Sequence, residues 1–298
     1  MISKIVTPAV TVVKENGKID IEGNILLMER LANAGIDGVL PLGSTGEYPF
    51  FKDNEEKKKY LDEYVDAANG KIEVLAGTGG IGYKETVELS NHILKKNVMG
   101  VLVISEFYFA MSQEEMYRYY AYMAEHIEGR VYIYNFPART GSSIEADTIV
   151  RLVSKYDNIV GIKDSVLDFA HTKEIMEKVL PIKPDFEVFS GYDHHFVDNH
   201  ALGGAGGVGA LSNIIPEVWS AWVKAVNAGN EKGIGEGKQI IDKMMDFYSL
   251  ESNPHKLIKE VLKAQGVPIS TYCHFPYNDL RKDSLEAAFE MLKKINYN

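Results

Sequence analysis

The chain has 298 residues, of which 45% are hydrophobic and 25% charged. That is ample for a large core and matches the composition of a globular enzyme. Forty-two acidic residues against 32 basic ones give a net charge of −10, which argues against a general binder of nucleic acid or anionic membrane. A small anionic substrate stays open, because a local site can oppose the global sign.

The one cysteine, Cys273, excludes an intrachain disulfide and a cysteine metal cluster. A reducing, cytoplasmic location is therefore expected. The start, Met1 to Lys4, runs into a strand-like segment without the apolar stretch of a secretion signal. The apolar runs are far shorter than the roughly 20 residues that span a bilayer, so no membrane association is expected.

In chain order, short apolar runs alternate with amphipathic stretches. The runs are Ile5 to Val10, Gly38 to Leu42, Ile72 to Ala76, Gly100 to Ile104, Val131 to Tyr134, Ile159 to Ile162, Phe186 to Phe189 and Gly207 to Ala210. They are aliphatic and do not alternate with polar residues, as in strands covered on both faces. Between them the period becomes helical. Ile21, Ile25, Met28 and Ala32 make one stripe, ended by Gly35. Met116, Tyr119, Tyr120, Met123 and Ile127 make another, opened by Ser112 and Glu115 as a capping box.

Eight strands with helices between them predict a parallel (β/α)8 TIM barrel. The rival, an open doubly wound sheet, would more often carry a glycine-rich phosphate loop after its first strand, and Pro8-Ala9-Val10 is unlike one. After Ala210 only helical patterns remain. Residues 1–215 are expected to form the barrel and 216–298 a helical C-terminal extension packed on it, within one domain.

In such a barrel chemistry sits where the strands end. Gly43-Ser44-Thr45-Gly46-Glu47 follows the second run. Its glycines allow close backbone approach and its hydroxyls and N–H groups can face an anion. Alternatively, it is a tight turn whose Ser and Thr cap the next helix. Tyr134-Asn135-Phe136-Pro137-Ala138-Arg139 follows the fifth run; Tyr134 ends a buried strand, so its hydroxyl needs a partner, and Arg139 can hold a carboxylate, the alternative being a core tyrosine and a surface arginine.

Lys163 completes the buried run Ile159-Val160-Gly161-Ile162. Burial disfavours the charged form of an amine, and a neutral amine attacks a carbonyl carbon, as Schiff-base chemistry requires. The competing reading is a lysine that reaches solvent or pairs with Asp164. His194 and His195 follow Gly191-Tyr192-Asp193. Neighbouring side chains diverge, so they do not read as a shared metal site. The cluster Gly203-Gly204-Ala205-Gly206-Gly207-Val208-Gly209 permits close packing or ligand approach.

Together, Gly43 to Glu47, Tyr134-Asn135-x-Pro137, Gly161-x-Lys163, Gly191-Tyr192-Asp193 and the last glycine cluster resemble the dihydrodipicolinate synthase/N-acetylneuraminate lyase family over essentially the whole chain. The resemblance implies that Lys163 forms an imine with pyruvate or another 2-keto acid and that Tyr134 moves the proton accompanying carbon–carbon cleavage. Ser44, Thr45 and Gly46 would hold the substrate carboxylate, with Val208 beside them. It implies no metal or organic cofactor, and a homotetramer, with a dimer as the alternative. Tyr108, in Ser105-Glu106-Phe107-Tyr108-Phe109, matches a second proton-relaying tyrosine that reaches a neighbouring subunit. Glu106 stands where family members usually have proline.

Within the family the chain is most similar to 2-keto-3-deoxy sugar acid aldolases, in which reading Arg139, Ser165 and Asp193 contact the polyol. Dihydrodipicolinate synthases share Arg139 but carry threonine where Ser44 stands. Sialic acid lyases share Ser44-Thr45 but place Glu where His194 stands and Ser where Ala210 stands. A catalytically silent keto-acid-binding protein is the non-enzyme alternative, and retention of both Lys163 and Tyr134 argues against it.

Overall fold

The computed structural model describes residues 2–80 and 82–297. The strands are β1 (Lys4–Pro8), β2 (Gly38–Leu40), β3 (Glu73–Gly77), β4 (Gly100–Ile104), β5 (Val131–Asn135), β6 (Ile159–Asp164), β7 (Glu187–Ser190) and β8 (Gly206–Gly207). They close into a barrel in chain order, and the registered pairs are parallel. This is the predicted TIM barrel. No strand alternates between core and solvent; β4, β5 and β6 are buried at every position. A helix layer covers the outer face, so both faces are apolar.

Three strands are shorter than their apolar runs. β2 stops at Leu40, two residues before its run does. β1 stops at Pro8, and Val10 turns its N–H to the Asn213 side chain at 3.3 Å instead of a strand partner. β8 ends at Gly207, and Ala210–Asn213 turns into a 3-10 helix. Apolar composition reports burial and not sheet pairing, so all three runs extend past their strands.

Packing divides the chain into two compact units. One holds the segment up to Lys4 with Val74–Val208; the other holds Ile5–Glu73 with the segment from Gly209.

In the second unit α1 (Ile21–Asn33) ends just before Gly35, which adopts φ +82°, the left-handed conformation that terminates helices. α2 (Asn54–Ala68) is capped by the Asp53 carboxylate, which accepts from Glu55 N at 2.9 Å. In the first unit come α3 (Tyr83–Ile93) and α4 (Gln113–His126). The predicted capping box opens α4: Glu115 N donates to Ser112 Oγ at 3.3 Å and Ser112 N to Glu115 Oε2 at 2.7 Å. α5 (Pro137–Thr140), α6 (Ala146–Val153), α7 (Phe169–Val179) and α8 (Phe196–Ala201) follow.

The region from Pro216 onward is helical, as expected: α9 (Pro216–Asn227), α10 (Glu231–Met244), α11 (Phe247–Leu250), α12 (His255–Ala264) and α13 (Ser284–Lys294). It is fastened within its own unit: Arg30 of α1 donates to Asn213 O at 2.8 Å and to the Gln265 side chain at 3.3 Å. Among the described residues no helix is long and apolar enough to cross a membrane.

Candidate active site

The register of β5 and β6 sets the centre of the first unit. Tyr134 pairs with Lys163, and Asn135 with Asp164. Side chains alternate across a strand, so the two pairs face opposite ways. On one side Lys163 Nζ lies 3.2 Å from the Tyr134 hydroxyl and 4.2 Å from its ring centre. Both residues are 4% exposed. Lys163 therefore neither reaches solvent nor pairs with Asp164; its neighbour is a phenol. The Tyr134 ring stacks on Phe136 with centroids 5.8 Å apart, which fixes the plane of the hydroxyl.

On the other side Asn135 Nδ2 donates to Asp164 Oδ1 at 2.7 Å. Asp164 Oδ2 accepts from Thr172 Oγ1 at 2.7 Å and lies 2.9 Å from His171 Nδ1, both on α7. This cluster escaped the sequence reading. The signal was available: Asp164 follows Lys163, so it must face away from it, and a buried carboxylate there needs donors from the covering helix.

Around this centre, Ser165 is 4% exposed and its N–H donates to Asn135 O at 2.8 Å. A Cβ on Gly191 would sit 1.9 Å from Ser165 Oγ, so glycine there makes room for the serine. Val208 N donates to Ser190 O at 2.8 Å, tying the last glycine cluster to β7. Asp193 is 1% exposed at the head of the 3-10 turn Asp193–His195. Burial, then the neighbouring His194, pushes His195 down to about 4, so its ring is neutral at pH 7.

Two predicted residues lie outward. Arg139, on α5, is exposed, with its guanidinium 5.8 Å from the Phe136 ring centre. Tyr108 is 89% exposed, has φ +83° and meets Phe109 edge-on. Glu106 is half-buried; burial raises its carboxyl, against a backbone hydrogen bond from Gly82.

The second unit holds the Gly43–Glu47 motif. Left-handed residues bracket it, Leu42 at φ 54° and Glu47 at φ 59°. Gly46 N donates to Gly43 O at 3.0 Å, and Thr11 Oγ1 to Gly46 O at 2.7 Å. A Cβ on Gly46 would lie 2.9 Å from Thr11 Oγ1. Ser44 and Thr45 are half-buried. They do not cap the next helix, because α2 is capped by Asp53. The capping alternative for this motif therefore fails.

Glu47 ties the motif to the C-terminal helices. Its carboxylate accepts from Lys259 Nζ, and from the His274 backbone N–H at 3.3 Å. Lys259 also donates to Tyr272 O at 2.9 Å and to Cys273 Sγ at 3.3 Å. Burial works to raise the Glu47 carboxyl, but the Lys259 ammonium, followed by His255, outweighs it and holds the group below its ordinary value. Burial pushes the Cys273 thiol up to about 11. Glu47, His255 and Cys273 bring metal-ligand atoms within 4.8 Å of one another, the one such grouping among the described residues. The charge bonded to it is the Lys259 ammonium, and this position already satisfies the carboxylate.

The site thus places a buried lysine near the end of β6 against a tyrosine near the end of β5. A sequence model of the dihydrodipicolinate synthetase family matches residues 1–295. The chain belongs to this family. Among curated relatives, the putative 2-dehydro-3-deoxy-D-gluconate aldolase YagE of Escherichia coli is 32% identical over 97% of this chain and 96% of its own. The probable 2-dehydro-3-deoxy-D-pentonate aldolase YjhH of the same organism is 29% identical over 99% and 95%. A 4-hydroxy-tetrahydrodipicolinate synthase of Methanococcus maripaludis is 32% identical over 88% and 89%. Among solved structures, YagE in complex with pyruvate superposes with a TM-score of 0.94 at 30% identity, covering all of both chains.

Proposed function

We propose that this protein is a class I lyase that forms a Schiff base with pyruvate and reversibly cleaves a 2-keto-3-deoxy sugar acid to pyruvate and an aldehyde. The observation that carries it is the Lys163 amine, buried and 3.2 Å from the Tyr134 hydroxyl. Binding alone would need neither group in this arrangement.

Neutral Lys163 Nζ attacks the C2 carbonyl of the keto acid, and water leaves as the imine forms. Its protonated nitrogen is an electron sink. The Tyr134 phenol gives its proton to the departing water as the imine forms, and the phenolate left behind takes the proton of the C4 hydroxyl as the C3–C4 bond breaks. Its electrons pass to the nitrogen, giving an enamine and a free aldehyde. The enamine takes a proton at C3, and hydrolysis returns pyruvate and Lys163. In this reading Ser44, Thr45 and Gly46 hold the substrate carboxylate, with Val208 beside it. Ser165, Asp193 and Arg139 contact the polyol. The exposure of Tyr108 supports a homotetramer in which it relays protons at a neighbouring copy's site. The lone buried thiol is in keeping with a cytoplasmic enzyme.

A second reading is condensation of pyruvate with aspartate semialdehyde, favoured by Arg139 and by the synthase relative at equal identity. The first steps are common to both. Incubation with pyruvate followed by borohydride reduction should leave one pyruvyl adduct on the peptide containing Lys163, absent in Lys163→Ala. No adduct at saturating pyruvate overturns both readings. With an adduct in hand, release of pyruvate from 2-keto-3-deoxy hexonates and pentonates supports the sugar-acid lyase. Turnover with aspartate semialdehyde alone supports the second reading.

A further inference from the structure

The cluster behind the reacting pair has a feature that catalysis does not use directly. His171 Nδ1 lies 2.9 Å from Asp164 Oδ2, and His171 Nε2 lies 2.9 Å from Ile144 O. A carboxylate and a carbonyl can only accept, so a hydrogen is required on each ring nitrogen. Ser143 Oγ, at 3.4 Å from Nε2, adjoins the same edge. The side chain is 22% exposed, against 0% for Asp164.

The groups facing this ring favour the charged form. Burial lowers its affinity for the second proton, but the hydrogen bond and charge of Asp164, the Ile144 carbonyl and the charge of Glu174 outweigh that and raise it. The proton is held by groups from three segments: β6, the loop before α6, and α7 itself.

Asp164 in turn holds Asn135, which also accepts from Ile144 N at 3.2 Å. Asn135 and Asp164 are the partners immediately beyond Tyr134 and Lys163 in the same ladder. A slip of β5 against β6 would break the outer pair and separate the inner one together. β5 already carries a register irregularity between Val131 and Tyr132, so its register is not set by ladder hydrogen bonds alone.

We propose that His171 is a positioning residue, whose doubly protonated ring clamps Asp164 and Asn135 and so fixes the β5–β6 register that brings Tyr134 to Lys163. The consequence for catalysis rests on the function proposed above. The clamp itself rests on the hydrogen-bond geometry.

The test uses full-length wild type, His171→Phe and His171→Gln. Nitrogen-15 NMR of wild type should show both His171 ring nitrogens protonated at pH 7. A neutral ring overturns the proposal whether or not the enzyme turns over. Misplacing reacting groups by about 1 Å lowers rates up to ~100-fold. His171→Phe should therefore lower kcat and the rate of borohydride-trapped adduct formation by about tenfold or more, with KM nearly unchanged. His171→Gln, which keeps a donor toward Asp164, should recover part of both and serves as the readout if the Phe variant does not fold. A folded variant that loses thermal stability yet keeps wild-type kcat assigns His171 a purely structural role and overturns the proposal. Absence of any adduct in wild type overturns the proposed function and the catalytic consequence drawn from it, while the NMR result still decides the clamp.

Discussion

Lys259 of α12 and Glu47, at the end of the Gly43–Glu47 motif, form an ion pair in which neither side chain has any exposed surface. Removing one member leaves a buried charge without its counterion. Lys259→Met should destabilise the protein by about 3–5 kcal/mol. The double variant Lys259→Met/Glu47→Gln should recover part of that loss, because no bare carboxylate remains. Urea unfolding midpoints of the two variants check this; equal losses would mean that the pair's charges are not the source of the effect.

Tyr134→Phe keeps the ring and its stacking on Phe136 and removes only the hydroxyl beside Lys163. General acid–base groups contribute typically about 10²–10⁴-fold, so kcat for cleavage should fall within that range. The pyruvate adduct should still form on Lys163. Steady-state kinetics and intact-protein mass after reduction separate the two effects.

Two histidines should give the stability profile slopes of opposite sign. His195 has a folded value of about 4 against an ordinary 6.5. Between these limits the unfolded chain binds the extra proton, so its contribution to stability is lost as pH falls through that window. His171 is raised above 6.5. Its contribution is complete below 6.5 and is lost as pH rises through the folded value. Melting temperatures across pH 4 to 9 for wild type, His195→Gln and His171→Gln should show a flatter acid limb in the first variant and a flatter alkaline limb in the second.

Gly161 sits in β6 two residues before Lys163. A Cβ there would lie 2.4 Å from Glu187 O of β7 and 2.7 Å from the Tyr132 ring. Tyr132 is itself held by hydrogen bonds with Arg130 and Glu187, so it has no easy retreat. Gly161→Ala should cost at least the upper end of the roughly 1–3 kcal/mol typical of overpacking. The denaturation midpoint checks the figure.

Arg139→Ala and Asp193→Ala test the polyol assignment. Removing a partner from substrate hydroxyls should raise KM for long keto-deoxy acids by about tenfold. Pyruvate trapping on Lys163 should be unchanged. An unaltered preference across a panel of 2-keto acids would sink the assignment.

Lys163, Tyr134 and the glycine-flanked motifs were visible in the sequence because each stands at the end of an apolar run. Periodicity marks such positions without any tertiary information. The supports of these residues were not visible. Asp164, Asn135 and His171 meet only because α7 folds back over β6, and Lys259 lies 212 residues from Glu47 along the chain. Local pattern carries no record of such distant pairings.

The sequence by itself determined the eight-strand alternation, the capping box of α4 and the candidate nucleophile, since all depend on local period and residue chemistry. Tertiary structure decided where β1 and β8 stop, whether Lys163 meets Asp164 or Tyr134, and which groups neutralise the buried charges. Strand alternation sends Lys163 and Asp164 to opposite faces, and only the closed packing of strands and helices supplies what each then touches.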